Sequence, residues 1–546
     1  MLILALALGC AQQEPGAEVV FQNGLFYLMD ADNTVRVALA MTGGRIVDAG
    51  IDANTKVIDL GGRTVFPAFH DAHTHLLWSG ADLLLVDLYG ARDLDAIAAA
   101  TLEWAKANPD EAWIQGGGWD TSVFSTVLTA QIMDDIIADR PLWLYSADAH
   151  IAVVNSLALS LAGIDADTPD PPDGTIGRDD TGAPNGLLYE GAMSLVSDLI
   201  PPYATATVDL GLANAQAEAN RFGITTVVDA YMEEWMLDGY VRADQAGTLT
   251  VRVHGAVEVG PADGDPVARL SALRTAYASP RVEVNAAKIF LDGILESGTA
   301  ALLEPYEDGS TTPLAFPSEL AEGVVVALDE AGFQLHFHAI GDAAVRQALD
   351  LTAHVEATNG PRDRRPLAAH IELIDPADIP RFETLGVFAD FQALWAYPDS
   401  YIRLLTWPVI GEERSEWLYP IGAVAETGAV VVGGSDYSVT SQNPFLAIEV
   451  AVTRQNPYSN AGGILTPQHT VDLLTALRAY TSEGAKASFS EKDLGTLEPG
   501  KRADFIVLDV NPFEVAPSAL SEVRVDETWM DGVQVYAREI PPPSTP

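Results

Sequence analysis

The chain has 546 residues, 48% of them hydrophobic and 20% charged, a globular composition long enough for a barrel domain with a second domain added. Asp and Glu total 77 against 30 Lys and Arg, a formal net charge of -47. That balance argues against nucleic acid or anionic lipid as a partner, because phosphate would be repelled. An acidic, lysine-poor surface is compatible with a saline habitat.

Residues 1–16 read as an export leader and linker. Met1 to Gly9 is apolar, too short to span a bilayer, and leads into Cys10, the only cysteine. With one cysteine no intrachain disulfide forms. LALGC resembles a bacterial lipoprotein signal, which predicts export to the periplasm or outer membrane and membrane attachment through a lipidated Cys10.

Residues 17–63 read as short strands and turns, and residues 486–546 (GTLEPGKRADFIVLD, VDETWMDGVQVYA) have the same character. They predict one small β-sandwich built from both termini around a central domain, residues 64–485. Within that domain apolar strand candidates recur at Thr64–His75, Ile224–Ala230, Leu249–Val259, Val284–Gly293, Phe333–Ile340, Leu367–Ile374, Val387–Leu394 and Ala429–Asp436. Helical segments such as Val208–Arg221, Pro317–Ala331 and Asp342–Glu356 alternate with them. This is the arithmetic of an α/β fold, a (β/α)8 TIM-type barrel. About 76–203 is a large insertion after the first strand, far longer than an ordinary connection. Lying above the face that carries chemistry, it predicts a lid and substrate pocket.

The first strand ends in FPAFHDAHTHL, where His73 and His75 are two apart and point the same way, so both imidazoles reach one metal ion. Lys288, His338, His370 and Asp436 each lie late in their own strand candidates. His336, two before His338, is the alternative ligand one layer deeper; the strand-end position favours His338. His70 reads as a turn or supporting residue, and His254, His354 and His469 as structural or solvated. His150 is a candidate substrate contact in the insertion, and Asp292 a candidate for orienting substrate or holding a loop. No Gly-x-Ser-x-Gly elbow competes as a nucleophile.

These landmarks, with GRIVDAG, GGGWD, SADAHIAVVNSLAL, GAPNGLLYE, KIFLDGILESGTA, HFHAIGD, HIELI, GGSDY and GTLEPGKRADFIVLD in this order, resemble the amidohydrolase superfamily, specifically its branch of metal-dependent hydrolases similar to N-substituted formamide deformylase. The resemblance implies that His73, His75 and Asp436 bind one metal and His338 and His370 a second, both most simply zinc, bridged by carbamylated Lys288. It marks Trp119 and Asp120 as pocket-wall residues. Ala68 and the HIELI pattern depart from the family's usual residues next to the pocket.

The implied reaction is hydrolysis of a non-peptide carbon–nitrogen bond in a small-molecule amide, formamide or cyclic amide, with Asp436 as general base and acid. The alternatives are an ester or phosphoester hydrolase on the same site, or a lipid-anchored metal-binding protein without turnover. The oligomeric state stays open, a homodimer being compatible.

Overall fold

The structure, a computed structural model, describes residues 16–120, 128–171, 173–459 and 461–539. The leader and Cys10 lie outside them. Among the described residues no helix is long and apolar enough to cross a membrane.

Eight parallel strands form a nearly closed barrel: β1 (Phe69–Thr74), β2 (Ile224–Met232), β3 (Arg252–Glu258), β4 (Val282–Phe290), β5 (Gln334–Ala339), β6 (Leu367–His370), β7 (Phe388–Phe391) and β8 (Val431–Gly433). Helices such as Thr205–Arg221, Ser318–Glu330 and Asp342–Asn359 cover its outside. Strands covered on both faces are buried along most of their length, and here their apolar residues are interrupted by buried polar ones such as Asp71, Asp229, Lys288, His336 and Asp390. The seam between β8 and β1 is held at the strand ends: Asp436 N donates to His73 O at 2.8 Å, and His75 N donates to Tyr437 O at 3.0 Å. Register then sets the layers of the interior, pairing Lys288 with His336 and Phe290 with His338.

The first strand candidate, Thr64–His75, divides in two. Thr64–Pro67 pairs antiparallel with Phe505–Leu508, while Phe69 onward joins the barrel. Pro67 has no N–H to give a ladder, and the switch between sheets falls directly after it. The sheet that Thr64–Pro67 enters has eight strands drawn from both ends of the chain. It folds over a core of its own containing Phe21, Phe26, Leu39, Val65 and Phe505.

The insertion forms a third, six-stranded sheet with a separate core around Ile97, Leu144 and Val153. Its first helix, Leu76–Asp82, packs instead on the barrel, with Leu76 and Leu77 in the barrel's core. That helix lies against Thr205–Arg221 through two glycines. A Cβ on Gly80 would stand 2.4 Å from Gly211 O, so only glycine permits the approach.

Candidate metal centre and substrate cavity

Every one of the six expected ligands lies at the same end of the barrel, with His73 at the centre. Its Nε2 is 3.1 Å from Lys288 Nζ and 3.6 Å from Asp436 Oδ1, and its ring is 4.8 Å from that of His370. His75 Nε2 lies 3.0 Å from Asp436 Oδ1. His73, His370 and Asp436 each present a ligand atom, all within 4.8 Å of one another. His338 stands at the rim, its ring 4.5 Å from that of His370 and its Nε2 3.1 Å from Gly293 O.

Burial controls the chemistry of these groups. It holds the imidazoles of His73, His338 and His370 well below their ordinary range, so they are neutral, the form that ligates metal. Burial also lowers Lys288 to about 8, against the pull of Asp436, Asp390 and Glu258. Its neutral, nucleophilic amine is therefore within reach near neutrality.

The centre also lacks donors and acceptors for its own polar atoms. His75 Nδ1, His370 Nδ1, Asp390 Oδ2 and Asp436 Oδ1 are buried without a hydrogen bond. Such atoms are costly to leave unpaired, and imidazole nitrogens gathered with carboxylate oxygens suit a divalent cation. His370 (φ 78°) and Asp436 (φ 50°) both sit in the left-handed region. This local strain turns their side chains inward at the strand ends.

Three acids and histidines enlarge the set. His336 Nε2 is 2.9 Å from His73 Nδ1, and His73, His336 and Asp390 make a second group able to hold a metal. Asp71 accepts from Ser435 N at 2.9 Å and from Ser435 Oγ at 2.5 Å, tying β1 to the loop after β8. Asp390 sits inside an apolar run with no motif, so spacing gave no signal beyond a carboxylate in a core strand. Asp71 was hidden by its neighbours in the His-rich motif. Asp292 holds a loop: its carboxylate accepts from the backbone N–H groups of Ile340, Gly341 and Ala301 at 2.8–3.0 Å. Burial nevertheless pushes it up to about 7.

Above the centre opens a cavity of about 1200 Å³, lined by residues from the barrel loops and the insertion, Asp120 and His150 among them. Trp119 is a correction to the expected pocket wall. Its side chain is buried in the insertion's core and Nε1 donates to Leu144 O at 3.2 Å: the register of Ile114–Trp119 shifts between Gly117 and Trp119, which puts Trp119 in the same core as Ile114 and not on the cavity side with Gln115. Asn155 caps the helix Ser156–Ala162 and is fully buried.

His150 reaches over the centre, its ring 5.4 Å from that of His338, and its Nδ1 is 2.7 Å from Glu190 Oε2. Glu190 in turn accepts from Thr299 Oγ1 at 2.6 Å, linking the lid to the loop after β4. Burial pulls the His150 imidazole down, but the charge and hydrogen bond of Glu190, helped by Asp148, win and push it up to about 9. A raised folded value means the pair stabilises fully below the unfolded value of about 6.5, and that this stabilisation is lost as pH rises through about 9. Chemical denaturation should therefore show wild type exceeding His150→Gln by roughly 2–3 kcal/mol at pH 6, with the gap closing above pH ~9. A gap that is constant with pH would show that the pair is not ionised.

A model of the amidohydrolase family matches residues 56–536. The chain is 27% identical to N-substituted formamide deformylase of Arthrobacter pascens, over 93% of this chain and 96% of that one. It is 30% identical to the protein LONG AFTER FAR-RED 3 of Arabidopsis thaliana, over 95% and 92%. Among solved structures, an uncharacterized metal-dependent hydrolase from Pyrococcus horikoshii superimposes with a TM-score of 0.73 at 25% identity, covering 91% of this chain and 99% of that one.

Proposed function

We propose, since the chain belongs to the amidohydrolase family, that it hydrolyses a non-peptide carbon–nitrogen bond in a small-molecule amide, formamide or cyclic amide. The observation that carries this reading is the buried convergence of His73, His370 and Asp436 on Lys288 and His75 at the floor of one cavity. Two divalent ions, proposed as zinc and held by these residues, His338 and a carbamylated Lys288, would supply carbonyl polarisation and acidify water. Asp436 would accept the proton of the attacking water at Oδ1 and return it to the leaving nitrogen. His73 holds Lys288 in place, and His150 with Glu190 encloses the substrate from above and excludes bulk water.

A relative named for deformylation supports the bond type. Phosphoester hydrolysis fits less well, since no arginine lines the cavity among the described residues and its acids would repel a phosphate. The test pairs elemental analysis with a panel of N-substituted formamides, amides, cyclic amides, carboxylic esters and phosphoesters. The expected result is about two metal ions per chain and turnover confined to the nitrogen-containing members. Turnover of esters alone, or a full metal load with no turnover of any member, would overturn the reading.

A further inference from the structure

Resting on the hydrolase reading above, the cavity walls identify the kind of substrate. Lys288 is the one Lys or Arg among the described residues lining the cavity, and it lies on the floor, 1% exposed. The acidity of the chain as a whole does not account for this. Elsewhere carboxylates are matched by arginine, as in Arg346 with Asp375 and Asp378 or Arg365 with Glu491. In the cavity Asp120 is so matched, by Arg92 at 3.1 Å, but Glu296, Glu372 and Asp399 have no arginine partner among the described residues.

Three of these acids come from neighbouring loops: Glu296 follows β4, Glu372 follows β6 and Asp399 follows β7. Glu296 and Glu372 interact directly, and Asp399 acts on both. Glu296 Oε1 accepts from Thr406 Oγ1 at 2.6 Å, and Glu372 is engaged by Tyr419. Yet Glu372 is 2% exposed, and its Oε1 is buried with no hydrogen bond. Ionised together the two carboxylates would both be acceptors; burial and the neighbouring Glu296 hold Glu372 well above the usual carboxylate range, so without a cation the pair keeps a proton as the only donor between them. Trp395 and Tyr397 also line the cavity, aromatic rings of the kind that attract a cation, one face of Trp395 being stacked on His370 at 5.4 Å.

We propose that this corner binds an alkylammonium group of the substrate, whose three N–H donors supply what Glu296 and Glu372 lack. Glu372 is two residues beyond His370, so the two backbones are at most ~7 Å apart. The substrate is thus a small amide-type molecule with a primary ammonium a few bonds from the scissile carbonyl.

The test is calorimetric binding of n-butylammonium and of neutral butan-1-ol to the metal-loaded enzyme, with Glu296→Gln and Glu372→Gln alongside. Butylammonium should bind at least tenfold more tightly than the alcohol. Each variant should weaken it at least fivefold, leaving alcohol binding and metal content unchanged. Equal binding of the two probes, variants with wild-type affinity for the cation, or magnesium saturating the site and excluding butylammonium would each overturn the proposal. The wild-type comparison needs no variant, so a misfolded substitution does not protect it. Ammonium binding that persists while no amide is turned over would instead count against the hydrolase reading alone.

Discussion

Lys288→Ala is expected to lose most of its bound metal and at least ~10³-fold of its turnover, and a short carboxylic acid such as acetate should restore part of both. The amine is enclosed at the barrel floor, 3.1 Å from His73 Nε2, and burial brings it down to about 8. Carbon dioxide reacts with a neutral amine, and the carbamate formed would be an anion among neutral imidazoles, stable only if cations accompany it. Alanine removes that anion and leaves a small void, into which a free carboxylate fits. Elemental analysis and assay, each with and without acetate, read the effect, and circular dichroism verifies the fold. Full metal content and a parental rate in Lys288→Ala would remove the bridging role.

Much of this centre was legible in the sequence because barrel chemistry is written at strand ends. His73, His75, His338, His370 and Asp436 each close an apolar run, and parallel packing brings such ends onto one face whatever their separation along the chain. What escaped was set by side-chain direction and by neighbours in other strands. Trp119 lies beside Asp120, and a register shift after Gly117 sends its ring into the insertion's core. Choosing between His336 and His338 requires the register that pairs His336 with Lys288, which no single strand contains. Asp390 is invisible for the same reason, since its meaning comes from His73 Nδ1, 3.5 Å away across the barrel. The division of Thr64–His75 between two sheets was equally hidden, because both halves are apolar and only their partners differ.

Asp436→Asn should separate proton transfer from metal binding. The backbone of Asp436 is pinned, its N–H donating to His73 O at 2.8 Å, and Asn fills the same volume in the same left-handed conformation, which it tolerates better than most residues. The fold should therefore persist, with an unfolding midpoint near that of the parent. The amide can still face His75 Nε2, now 3.0 Å from Oδ1, but it cannot take a proton from water or return one to nitrogen. General acid–base transfer contributes ~10²–10⁴-fold, so kcat should fall by about that factor in enzyme reloaded to the parental metal content. The other proposed ligands, His73, His75, His338, His370 and Lys288, are untouched, so reloading should be possible at a higher free metal concentration. If the fully loaded variant works within tenfold of the parent, Asp436 is a ligand only. The proton is then expected to pass through His150 and Glu190, the ionisable pair beside His338, and His150→Gln would carry the large loss instead.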